Sequence, residues 1–94
     1  DFEIPVDFTI VYIGAYVDTA GTTGTMTVDV NKNGTTIMSA TKISIETTEK
    51  SSRNAATQPA LTTTSFVAGD IITVDIDAIQ TTAAKGLTVR FSFT

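Results

Sequence analysis

The sequence predicts an all-β fold: a two-sheet antiparallel β-sandwich, jelly-roll or Greek-key connected, with seven to eight short strands. Composition is the first reason. Twenty of the 94 residues are Thr, and Val and Ile are plentiful. β-Branched side chains lose least on a pleated surface, whereas the helix formers Leu, Glu, Gln and Lys are scarce. The second reason is period-2 alternation in several short runs, with turn signals every ~8–12 residues. The third is one hairpin with a clear mechanism. Met26, Val28 and Val30 alternate with Thr27, Asp29 and Asn31, and Asn33-Gly34 then offers two residues that tolerate positive φ. A type I′ turn there returns the chain as Thr35 to Ser39.

In chain order, Phe2 to Val6 is a short extended arm or edge strand, because Pro5 lacks a ladder N–H. Phe8 to Val17 is apolar on both faces: Phe8, Ile10, Tyr12 and Tyr16 on one, Val11, Ile13, Ala15 and Val17 on the other. A sandwich strand buries one face, so the second meets something else. Either another strand, the N-terminal arm or a loop covers it, or it is a subunit interface in which Phe8, Tyr12 and Tyr16 give rigid contact area. Asp18 to Gly24 is a loop, and Thr25 to Ser39 the hairpin. Ile43 and Ile45 mark a short strand. From Thr47 to Ala60 the pattern fails, and segments this long without structure are usually functional or mobile. Glu49, Lys50, Arg53 and Asn54 make this segment a candidate recognition loop. Leu61 to Phe66 and Ile71 to Ile79 are strands separated by the turn Val67 to Asp70. Leu87, Val89, Phe91 and Phe93 then alternate with Thr88, Arg90 and Ser92, which predicts a central C-terminal strand and makes Phe91→Ala the most damaging single change.

The whole chain, 1–94, reads as one domain, long enough to bury roughly 60–65% of its unfolded surface. It opens on Asp1 rather than Met, which reads as a domain cut from a longer protein. A net charge of −4 with six scattered cations gives no phosphate-tracking stripe, so nucleic acid is not an expected partner. No apolar run approaches the ~20 residues of a membrane helix, so no membrane insertion is expected either.

Catalytic chemistry has few candidates. Without His or Cys there is no imidazole or thiolate metal site and no Ser-His or Cys-His pair. Asp75 and Asp77 lie about 7 Å apart along one strand face, where carboxylates more often block edge pairing than hydrolyse glycosides. Asp29, Asp75 and Asp77 could hold calcium only if their strands converge. Tyr12 and Tyr16 are candidates for stacking a sugar or packing an interface. No enzyme and no cofactor is expected.

The run Thr19 to Ile37, continued by Thr64 to Asp77 and Gly86 to Val89 and preceded by Ile13 to Ala20, resembles a small β-sandwich domain. That domain occurs in tail, fibre and other structural proteins of tailed bacteriophages. The residues that carry the resemblance are turn glycines, alternating apolar positions and polar outer faces, which specify a scaffold and no site. The resemblance implies a homotrimer on the virion surface, bound to other virion proteins and touching a bacterial surface glycan or protein as a receptor-binding or fibre-tip module. A capsid-decoration or head-fibre domain, and a monomeric carbohydrate-binding module attached to a virion enzyme, are the alternatives. The chain departs from the family pattern at its longer, charged Thr47 to Ala60 segment.

Overall fold

The computed structural model describes residues 2–94; Asp1, where the sequence reading places the cut, lies outside them. It has eight strands: β1 Phe2–Glu3, β2 Phe8–Tyr16, β3 Met26–Lys32, β4 Thr35–Thr36, β5 Ile43–Ile45, β6 Ser65–Phe66, β7 Ile71–Ala78 and β8 Thr88–Phe93. They form two antiparallel sheets, as a sandwich requires. One runs β1-β7-β3-β4, with β5 also on β3, and the other runs β6-β2-β8. The chain changes sheet at every connection except β3–β4–β5, so the long ladders β3–β7 and β2–β8 join strands distant in sequence.

The hairpin forms as its residues dictate. Asn33 and Gly34 have φ of 51° and 88°, both positive, as a type I′ turn requires. The return is shorter than expected: β4 has two residues, and after Ile37 donates its N–H to Val30 O the chain leaves the ladder. Asp29 braces the two sides of the exit. Its carboxylate accepts from the Thr36 hydroxyl and lies 3.4 Å from Lys42 Nζ, folding Ile37–Lys42 back over β3 before β5 rejoins the same edge. Ile37 and Met38 are fully buried by that fold.

Strand β2 corrects the sequence reading. Ile10 pairs with Phe93 and Tyr12 with Ser92, so Val11 is an extra residue, a β-bulge. A bulge shifts the pleat by one and exchanges the faces. Phe8 and Ile10 point inward before it, and Ile13, Ala15 and Val17 point inward after it, while Tyr12 and Tyr16 point out. Both faces look apolar in sequence because the strand has one inner face that changes parity halfway.

The C-terminal strand also differs from expectation. β8 is an edge strand, flanked by β2 alone. Val89 and Phe91 are consequently half-buried, and Phe93 is 55% exposed. The fully buried aromatic is instead Phe66, 1% exposed, in edge contact with Phe8 at 5.2 Å between ring centroids. Phe8 also meets Phe91 and Phe93, so an aromatic cluster closes this end of the sandwich.

Asp70 ties two turns together at the same end. Its carboxylate accepts from Val67 N–H at 2.9 Å and Asn33 Nδ2 at 3.0 Å, and lies 3.5 Å from Lys32 Nζ. The Val67 N–H, then Asn33 and Lys32, hold its pKa below the ordinary 3.8 against the opposing effect of partial burial. A carboxyl with a lower pKa folded than unfolded adds stability fully above the unfolded value, and that stability fades as pH falls through the folded one. Asp70→Asn is therefore expected to be less stable than the parent at pH 7. The gap should narrow as pH drops below about 4, as urea midpoints at pH 7 and pH 3 will show; an unchanged gap at pH 3 would remove the carboxylate from the account.

Candidate functional site

The two sequence candidates, the second face of β2 and the Thr47–Ala60 segment, meet in space. The segment is not structureless. It carries a 3-10 turn, Ser52–Asn54, and runs along the edge of β2 that β6 leaves open beyond Thr9. Val17 donates its N–H to Lys50 O at 2.8 Å, Tyr16 and Ser51 form a bridge, and Ala15 donates to the buried Ser52 Oγ at 3.0 Å. The segment thus satisfies β2 backbone groups that would otherwise template another strand.

The turn is held by its own side chains. Ser51 Oγ caps it by accepting from Arg53 N–H at 3.2 Å. Gln58 Nε2 donates to Ser52 O at 2.8 Å and to Ala55 O at 3.0 Å, closing its far end. Glu46 accepts from Ala56 N–H at 2.9 Å, and Asn54 donates to Glu49 at 3.2 Å.

Gly14 makes the docking possible. A Cβ there would collide with the Tyr12 hydroxyl and sit 2.9 Å from Ser52 Oγ. Without one, Tyr12 folds back across its own strand, and the Arg53 guanidinium lies over its ring, 4.3 Å from the centroid. Such a cation–π contact is worth about 0.5–1 kcal/mol at exposed sites. Beside it, where the bulge parts strand from segment, a cleft of about 260 Å³ is lined by Val11, Tyr12, Ile13, Gln58, Pro59 and Leu61. Among the described residues the Arg53 side chain has no hydrogen-bond or ion-pair partner, so its planar N–H fork is free to bind a carboxylate, phosphate or sugar hydroxyl.

Of the residues singled out in sequence, Tyr12 and Arg53 are brought together, with Glu49, Lys50 and Asn54 on the same segment. Tyr16 is 39% exposed at the end of the strand. Phe8 is not part of this face; the bulge sends it into the aromatic cluster. The pair Tyr12 and Tyr16 offers no open two-ring platform, because Arg53 occupies the ring of Tyr12. The sequence reading missed Gly14, Ser52 and Gln58. A lone glycine inside a strand is a signal of bulge or close approach, and it would have found the first.

The acidic trio forms no shared site. Asp29 and Asp75 pair directly across β3 and β7, but Asp29 is engaged by Thr36 and Lys42, and Asp75 accepts from Asn31 Nδ2 at 2.7 Å. Asp77 falls at a second bulge, between the pairs Thr27–Ala78 and Val28–Ile76. Among the described residues no three carboxylates converge on a metal-sized site. Comparison of the chain with protein-family models, with curated proteins and with solved structures finds no match in any of the three.

Proposed function

We propose that this domain is a non-enzymatic structural and adhesion module of a tailed-phage particle, binding an anionic group on a bacterial surface glycan or protein. The observation that carries the binding reading is the Arg53 guanidinium held over Tyr12 by an anchored segment, with no hydrogen-bond or ion-pair partner among the described residues, beside an apolar cleft. The phage setting rests on the resemblance of the hairpin and strand pattern. A second reading, a carbohydrate-binding module appended to a virion enzyme, is favoured by one observation: the chain's own segment lies along the edge of β2 and sets Arg53 over Tyr12, on the face for which a loop of the same chain and a second subunit were the alternatives.

Labelled protein titrated against bacterial cells and purified envelope polysaccharides tests both. Saturable binding that Arg53→Ala weakens by at least tenfold, with an unchanged urea midpoint, supports the platform. Binding that survives Arg53→Ala moves the site elsewhere. Retention by a defined oligosaccharide but by no cells favours the appended module.

A further inference from the structure

The sandwich has an open flank. Among the described residues β1 covers β7 only at Ile71 and Ile72, and no strand lies on the β7 edge from Thr73 to Ala78. Among the described residues β8 is paired by β2 on one side and carries no strand on the other. Both free edges border the same gap between the sheets, an apolar cleft of about 280 Å³ lined by Phe2, Val30, Ile72, Val74, Val89 and Phe91. Around it Val74 is 44%, Ile76 51% and Phe2 56% exposed. A sandwich that leaves two neighbouring edges and its core open on one side presents a surface suited to strand addition.

From this flank we infer that two copies of the chain associate about a two-fold axis, β8 of each pairing antiparallel with β7 of the other. Because the edges lie one above the other on the same side, a two-fold axis parallel to the strands brings β7 against the partner's β8 in both layers at once. The five-stranded and three-stranded sheets then continue into one another, and both edges close in an isologous contact.

Charge selects this arrangement over its rival. The other two-fold packing sets β7 against β7 and β8 against β8. That would place the exposed Asp75 and Asp77 near their own copies, and Arg90 near another Arg90, and like charges across a ladder destabilise it. The β7–β8 pairing instead sets Asp75 opposite Arg90. With that register Val74 meets Phe91 and Ile76 meets Val89 on the inner face, and Thr73 meets Ser92 on the outer one; the ladder ends there, because the next position, Ile72, is already paired with Phe2. Among the described residues Arg90 and Asp77 have no ion-pair partner within the chain. The inference is independent of the ligand reading, since the Tyr12–Arg53 platform belongs to the opposite edge of β2.

Sedimentation equilibrium from 1 to 100 μM tests it. The expected result is a species of twice the 9.9 kDa chain mass, with amide exchange in 73–77 and 88–92 slowing as concentration rises. Arg90→Glu should raise the dissociation constant at least tenfold without changing the circular dichroism. Adding Asp75→Lys to it should restore association, which a β7–β7 contact would not do. A monomer at 100 μM, a trimer, or a dimer indifferent to Arg90→Glu would overturn the inference.

Discussion

Phe66→Ala is expected to lower the stability of the domain by about 3–5 kcal/mol, the usual cost of emptying a buried phenylalanine site. The ring is 1% exposed, packs edge-on against Phe8 and lies beneath the Lys32 ammonium, 5.3 Å from its centroid. Three elements lean on that ring: β6, which it anchors, the start of β2 and the end of β3. None can collapse into the space without abandoning its ladder, so the cavity term should approach its full value. Against a typical domain stability of about 5–15 kcal/mol, such a loss leaves little reserve. Phe91→Ala, the change that strand pattern alone ranks highest, should cost less than half as much, because the ring is half-buried at the rim of an open cleft. Urea unfolding of both variants, under conditions where the chain is monomeric, checks the order. A larger loss for Phe91→Ala would mean that β8 is covered in solution as a central strand would be.

Gly21→Ala is the second large effect, about 1–3 kcal/mol by overpacking and more if the backbone must move. A Cβ at Gly21 would stand 2.6 Å from the Gln80 amide and 2.8 Å from the Thr82 carbonyl. Gln80 has little room to retreat: it is 1% exposed, and its Nε2 donates to Ile45 O at 3.2 Å, tying the loop after β7 to β5. Its Oε1 has no partner among the described residues, so this glutamine already carries part of the cost of a buried polar group. Pairing Gly21→Ala with Gln80→Ala should recover part of the loss, leaving the contact with Thr82. If the double variant is no more stable than the sum of the singles, the crowding described here does not set the cost.

Local chemistry was legible in the sequence, and long-range partnership was not. Asn33-Gly34 announces its own turn because two adjacent φ values decide it. The alternation of β3, and of β7 ahead of its bulge at Asp77, assigns Val28, Val30 and Ile72 inward correctly, since a regular pleat has one rule. The bulge at Val11 breaks that rule through the pairing of Tyr12 with Ser92, 80 positions away, and no periodicity within β2 contains it. Tyr12 and Phe8, four residues apart, therefore read as neighbours and end on opposite faces. The rank of β8 in its sheet likewise depends on which strands come to flank it. At the candidate site, the segment carrying Glu49, Lys50, Arg53 and Asn54 was visible as a break in pattern, but its docking onto Tyr12 depends on the small size of Gly14 and the length of the return to β6.

The strand order has a temporal side. β2 finds its ladder partner only in the last residues, Ile10 with Phe93 and Tyr16 with Thr88, and β3 waits for β7. Ladders between such distant segments require large loops to close before any pairing rewards them, which places two-state β domains in the millisecond-to-second range of folding times. During synthesis the three-stranded sheet cannot be completed until Thr88–Phe93 has left the ribosome, so the nascent chain holds one edge of β2, from Ile10 to Tyr16, without its ladder partner until translation has passed the last strand.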